Sequence, residues 1–383
     1  MAVAPPRFEN GIAGLGAGYA DWVRSALAAV GVEVVSREAT RAAAGSVVPG
    51  REDVAGLGAD LDAGFVLLTE ATAVAGRFEI QVRLYETATN QLVGFARTEE
   101  AVQALGTSAR EVTASIVEQA GLRAEAVRDA PAPRLIDLAA ASRALAALDR
   151  GDLGRAWREV DGRLSPTADR IRERIEAASG GEGVTTAVRA RLWIAQGQPD
   201  RAAQLVRPEL RSSRDPEVFI AAADAAVALR DPRRAVELYE RAIELGGDRA
   251  DAYLGLGRAL SVGKRYEQAR AAVERAAELD PADPEPLEAL VELWSDDPAR
   301  AARYHLLAGQ RAAARFESKR AERSFERAEQ LAPRDTGRAP ARMASFQRDL
   351  GNPRPAIRAY ERAIERGNAD ADTWRGLADA RRA

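Results

Sequence analysis

Phe78, Ile80, Val82 and Leu84 alternate with Glu79, Gln81, Arg83 and Tyr85, and a period of two predicts a strand with one buried face. Phe65–Val74 and Leu92–Thr98 read as its neighbours, with turns at Ala75-Gly76 and Thr89-Asn90-Gln91. Earlier in the chain Tyr19, Trp22, Val23, Ala26, Leu27 and Val30 share one helical face, and Gly31 stops that helix. Val3–Phe8 predicts a first strand that Pro5 and Pro6 confine to an edge. Val32–Val35 predicts a second strand and Arg51–Asp60 a short helix. Ser108 and Glu111 have capping-box spacing, opening a helix that runs to Gln119 before Gly121. The expected order over residues 1–122 is β-α-β-α-β-β-β-α.

After Gly121 the pattern changes. RAEAVRDAPAPR, residues 123–134, is charged, holds two prolines and reads as a linker. From 135 to 383 the apolar periodicity is helical and repeats every 34 residues. Tyr253, Leu256, Gly257, Leu260, Ala269, Val273 and Ala276, followed by Pro281, match one period earlier Phe219, Ala222, Ala223, Ala226, Ala235, Tyr239 and Ala242. Weaker units lie near 137–164, 183–215, 302–335 and 337–370, and Trp374 and Leu377 begin a last helix. The period breaks at Pro166–Gly183 and Pro284–Asp297, where extra or unpaired helices are expected. Asp231-Pro232 and Asn352-Pro353 read as helix starts, a capping side chain before a proline whose missing N–H costs nothing there.

The 34-residue unit is identified as a tetratricopeptide repeat on these residues, which match W-x-x-L-G-x-x-Y, A-x-x-x-F and P. The resemblance implies a right-handed solenoid whose inner groove binds peptides or proteins. The strings VAPPRFEN, ADWVRSALAAVGVEVVSRE, GFVLLTEATAVAGRFEIQVRLYETATNQLVG and TASIVEQAGL resemble the TolB N-terminal-like domains, a group shading into FlgO-like and CsgG-like envelope domains. That resemblance covers 1–122 and implies docking or assembly in a bacterial cell envelope, without enzymatic activity. Asn90 stands where those domains usually carry Gly, and Asn enters the left-handed region more readily than most residues. The expected fold class is thus an α+β N-terminal domain followed by an all-α tetratricopeptide-type solenoid.

Composition narrows the chemistry. The 383 residues include no Cys and one His, His305, so thiolate chemistry is excluded and a histidine-based centre would rest on one residue. Residues 1–122 carry 9 Arg against 15 acidic residues, and the remainder is nearly balanced, so neither part is a basic nucleic-acid surface. No apolar run is long enough to cross a membrane. Met1 directly precedes the first predicted strand, as it would in a chain whose leader had been removed. If a leader has been removed, the envelope-domain resemblance implies the periplasm or cell envelope; the alternative is the cytoplasm.

Local motifs carry little. Gly11, Gly14, Gly16 and Gly18 lie between strand and helix, but a dinucleotide turn from Gly14 would need Gly at Tyr19. Gly263-Lys264 is a turn, Asp60, Asp62 and Gly64 lack the remaining calcium ligands, and His305 reads as packing. Glu237 and Arg241, four apart, read as a solvated ion pair. No catalytic residue, metal or cofactor is expected. The repeat geometry turns positions 2, 5, 9 and 12 of each first helix inward. It selects Ala187, Arg191 and Ile194, Ile220, Asp224 and Val227, and Leu254, Arg258 and Ser261 as a partner-binding groove. In it Arg191, Asp224 and Arg258 alternate in charge and could grip a charged or carboxylate-ended peptide. The expected function is a protein-interaction scaffold. The alternative is a small-molecule or glycan sensor acting through residues 1–122.

Overall fold

The computed structural model describes residues 1–44, 53–74, 76–161, 166–179, 185–246, 249–332 and 338–382. The N-terminal part is built from β1 (Ala2–Val3), β2 (Arg7–Glu9), α1 (Gly16–Ala29), α2 (Arg37–Ala44), α3 (Val54–Asp60), β3 (Phe65–Val74), β4 (Arg77–Glu86), β5 (Gln91–Ala101) and α4 (Leu105–Gln119). β1 and β2 lie parallel along one side of β3, and β3–β4–β5 form an antiparallel meander. Asn90 takes φ 55° in the last turn. The inward positions of β4 oppose Glu100, Thr98, Ala96 and Gly94 of β5, so β4 supplies the large apolar side chains of that face. β5 is one edge of the sheet, and backbone groups near its middle and just past its end are covered. The Gln119 side chain bonds the Phe95 N–H and C=O (2.8 and 3.0 Å), and the Leu350 carbonyl accepts the Gln103 N–H (3.2 Å).

Three expectations of local structure at the N-terminus are corrected. Val3–Phe8 is two short strands, because the prolines interrupt the N–H donors of the ladder. Val32–Val35 is not a strand. With β1 only two residues long, that segment meets it through the bonds from Val35 N–H to the Met1 carbonyl (2.9 Å) and from the Met1 amino group to the Glu33 carbonyl (2.7 Å), while the Val32 N–H turns back to the Leu27 carbonyl (3.1 Å). Ser108 does not cap α4; it lies inside the helix, buried, three residues after the start. That start follows a 3-10 turn at Val102–Ala104 and a close passage of Gly106, where an added Cβ would lie 1.7 Å from the Pro133 carbonyl oxygen. The linker at 123–134 contains the one-turn helix α5 (Glu125–Asp129), whose Val127 is fully buried. The short helix expected at Arg51–Asp60 appears as α3; Arg51 and Glu52 lie outside the described residues, as does Ala75 of the first turn.

The rest is helical. Hairpins form from α6 (Leu135–Asp149) and α7 (Leu153–Val160), α9 (Thr186–Ala195) and α10 (Pro199–Val206), α11 (Pro216–Ala228) and α12 (Pro232–Glu244), and α13 (Ala250–Val262) and α14 (Tyr266–Leu279). Two more are α16 (Pro298–Ala314) with α17 (Ser318–Leu331), and α18 (Arg338–Asp349) with α19 (Pro353–Glu365). The breaks in the period hold single helices, α8 (Pro166–Ser179) and α15 (Glu285–Leu293), and α20 (Ala371–Arg382) ends the stack. The fold class is therefore an α+β N-terminal part followed by a tetratricopeptide-type solenoid. Helix spacing is set by small residues facing large ones. A Cβ on Gly257 would meet Val273 at 2.3 Å within its hairpin, and Cβ atoms on Gly255 and Gly376 would strike the Tyr239 and Tyr360 rings of the preceding hairpins. The Asp231 carboxylate caps α12 by accepting the Arg234 N–H (3.1 Å). Asn352 instead donates its amide to the Gln347 side chain (2.9 Å) and does not cap α19.

The solenoid meets itself and the sheet domain. Glu159 of α7 accepts from Arg143 of α6 (2.9 Å) and from Arg315, beyond α16 (3.0 Å), and Arg315 also bonds Glu317 (2.9 Å). α1 crosses α6 with the Gly18 N–H donating to Ser142 Oγ (2.8 Å), and Arg37 grips Asp149 through two 2.7 Å bonds. One apolar core consequently runs from Tyr19, Phe78 and Leu105 into Phe325, Phe346 and Tyr360.

Candidate functional site: the concave face of the repeats

The groove residues expected from the sequence divide into three groups. Ala187, Ile220 and Leu254 are buried in helix packing, whereas Ile194, Ser261 and Val227 are half-buried or exposed. The structure brings Arg191 and Asp224 together but leaves Arg258 apart. Arg191, with a side chain only 6% exposed, lies 2.8 Å from Glu217, 3.4 Å from Asp251 and 3.8 Å from Asp224. Asp224 also accepts the Tyr239 hydroxyl (2.6 Å), and Arg249 joins Glu217 and Asp251. Burial pushes the Asp224 carboxyl above its ordinary range, against the pull of Arg191 and Tyr239. Burial acts the same way on Asp251, but the Arg249 hydrogen bond and the Arg191 and Arg249 charges outweigh it and hold that carboxyl low. Arg258 is exposed and reaches Glu285 at 3.3 Å.

A register rule explains this. Numbering each unit from the first residue of its repeat, Arg191 and Arg258 hold position 9, while Glu217, Asp251 and Glu285 hold position 2 of units beginning at 216, 250 and 284. The position-9 arginine of one unit thus meets the position-2 carboxylate of the next. The acidic partners were missed because only positions 5, 9 and 12 were read out for the groove. The central groove neutralises its own charge.

The same positions farther along select a different surface. In the units beginning at 302, 337 and 371, positions 2, 5 and 9 include Arg303, Leu306 and Gln310, then Arg338, Ala341 and Ser345, then Asp372 and Arg375. All of them line one open cleft of about 950 Å³ on α16, α18 and α20. Position 9 carries no arginine in the first two of these units, and position 2 carries Arg303 and Arg338. Arg348 pairs with Asp349 (2.8 Å) and Arg375 with Asp372 (3.0 Å), whereas Arg303, Arg338 and Arg342 are exposed and hold no ion pair among the described residues. Tyr360 places its hydroxyl 3.3 Å from Ser345, as Tyr239 does toward Asp224 in the central unit.

The remaining motifs resolve into structure. Gly18 is the α1–α6 crossing point, Lys264 takes φ 60° in the α13–α14 turn, and Asp62 takes φ 48° after α3. His305 lies on α16, its pKa lowered by burial and by Arg327. Glu237 and Arg241 do not pair with each other; Glu237 pairs with Arg234 and Arg241 with Glu244, each at 2.9 Å, three residues apart. Among the described residues no group of three or more ligand-type side chains could hold a metal, and no helix is long and apolar enough to cross a membrane.

Repeats of this geometry define a tetratricopeptide-type solenoid, and the family model for the tetratricopeptide repeat matches residues 220–284. Residues 220–284 are thus matched as tetratricopeptide repeat. No curated protein matches the chain. Solved structures similar to it include MamA of Desulfovibrio magneticus RS-1 (18% identity, 48% of this chain and 93% of that one, TM-score 0.25). PilF of Pseudomonas aeruginosa is another (16%, 51% and 96%, 0.30), as is YrrB, described as a repeat protein with an unusual peptide-binding site (16%, 54% and 97%, 0.27). These likenesses cover about half of this chain.

Proposed function

We propose that the protein is a non-enzymatic scaffold that holds a segment of another protein in the groove formed by α16, α18 and α20, in the assembly of a bacterial cell-envelope complex. The observation that carries the first part is the cleft itself. Repeat positions that face a solenoid's axis line an opening there, and Arg303 and Arg338 among them hold no ion pair among the described residues, in contrast to the Arg191 cluster. The groove of the central units, from Ala187 to Ser261, serves in this reading as the rigid wall that sets the curvature. The envelope role is supported by the resemblance of residues 1–122 to envelope docking domains and by their strand–helix layout.

The test is partner capture with the full chain and with Ala341→Trp, which fills the middle of the cleft from a half-buried helical position. The reading expects a partner that the unaltered chain retains and the filled variant loses at equal thermal stability. Equal retention by both would move the contact away from this groove. Fractionation of the source cells tests the location, and recovery from the cytosol alone would overturn the envelope role.

A further inference from the structure

The arginine-lined cleft does not end at the repeats. Gln310, Arg342 and Ser345 also line a second opening of about 410 Å³, whose other walls are apolar except for Asp349, which pairs with Arg348, and come from both parts of the chain. Ile12, Ala73 and Val102 contribute from the sheet domain, and Phe316, Phe346 and Leu350 from the repeats. The two openings adjoin at Gln310, Arg342 and Ser345, so guanidinium groups that hold no ion pair among the described residues lie next to a mostly apolar recess at the seam.

We infer that this composite groove takes an acidic protein segment carrying one large apolar residue, its carboxylates on Arg303, Arg338 and Arg342 and its apolar side chain in the seam against the sheet domain. The inference rests on the scaffold reading and adds the chemistry of the bound segment and a role for residues 1–122 in holding it. Charge complementarity sets the sign of the ligand. Unpaired, exposed guanidinium groups favour carboxylates, which they can bind bidentately. Asp370 and Asp372 interrupt the basic wall. The Thr373 N–H and hydroxyl hold the Asp370 carboxyl below its ordinary range, so it stays charged. An interrupted wall suits spaced carboxylates better than the unbroken phosphates of a nucleic acid. The aromatic ring at this cleft, Tyr360, is buried and offers no face on which a base could stack.

The test is fluorescence anisotropy of labelled ten-residue peptides against the full chain. One peptide carries five Glu spaced by Gly and Ser and a terminal Phe. A second has Ser for that Phe, a third has Gln for every Glu, and an oligothymidylate of the same length is the fourth probe. The first peptide should bind best, with affinity falling steeply as salt is raised. Loss of the Phe should weaken it by about tenfold or more, and loss of the Glu residues should abolish binding. Arg303→Gln and Arg338→Gln should each cost about fivefold. Arg258→Gln, on the self-neutralised central groove, should change nothing. Ala313→Met, which narrows the seam, should weaken the Phe peptide and leave the Ser peptide unchanged. No binding of the first peptide at millimolar concentration, equal binding of the Glu and Gln peptides, or tighter binding of the oligonucleotide overturns the inference. If a captured partner is lost with Ala341→Trp yet is indifferent to Arg303→Gln and Arg338→Gln, the groove reading stands and the acidic-segment inference falls. A partner indifferent to all three variants removes both.

Discussion

Replacing Gly18 by Ala adds a single methyl group at the point where α1 crosses α6. That Cβ would lie 2.1 Å from the Leu138 carbonyl oxygen, 2.9 Å from its carbon and 3.1 Å from the Ala141 methyl, where ordinary contact begins at 3.4 Å. The two obstacles at Leu138 are backbone, so no side chain can turn away and the helices must separate. Separation strains the 2.8 Å bond from the Gly18 N–H to Ser142 Oγ, a loss of about 1 kcal/mol, with overpacking adding about 1–3 kcal/mol. Removing a glycine from a helix returns roughly 0.5–1 kcal/mol, so the net destabilisation is about 1–3 kcal/mol. With an unfolding entropy of roughly 2.1 cal/mol/K per residue, the midpoint of a chain unfolding as one unit should fall by about 1–4 °C. The control is Gly56→Ala in α3, where an added Cβ has nothing within 4 Å; it should leave Tm unchanged or raise it. Hydrogen exchange should accelerate in α1 and α6 for the first variant alone. Equal Tm shifts and equal exchange for the two variants would refute the close-crossing argument.

Two further outcomes follow from the ion pairs. Arg191→Ala leaves Asp224 without its cation, while Arg249 keeps Glu217 and Asp251, and should cost about 3 kcal/mol in denaturant unfolding, whereas the exposed Arg258→Ala should stay within about 0.5 kcal/mol; equal costs would mean that the Arg191 cluster is not buried as described. Asp149 is held below its ordinary range by the Arg37 hydrogen bonds, and Glu317 is held low by Arg315 and Arg320 despite burial. A carboxylate depressed in the folded state contributes stability above its unfolded pKa and loses it as pH falls through the folded value. The seams at α2–α6 and α7–α17 should therefore hold from pH 7 to 5 and loosen below about pH 4, read by hydrogen exchange; equal protection at pH 3 and pH 7 would contradict the sign.

The sequence by itself determined the elements whose pattern is local. The meander from Phe65, the helix through Trp22, the 34-residue hairpins and the single helices at Pro166 and Pro284 are all legible in side-chain periodicity, because period and breaker residues act within a few positions of themselves. The fates of Val32–Val35 and Ser108 depended on distant chain: one lacked a neighbour long enough to pair with, and the other lies in a helix whose start is pressed against Pro133. The site shows the same division. The rule that positions 2, 5 and 9 face inward is a property of the repeat and reaches Arg303 and Arg338 as readily as Arg191. Which of those arginines stay free was decided by tertiary structure, through the residue that the next repeat places opposite each one. The mostly apolar seam was invisible in the sequence because its walls come from Ile12, Val102 and Leu350, far apart along the chain and joined only when the turn before α1 and the segment after β5 close against the solenoid.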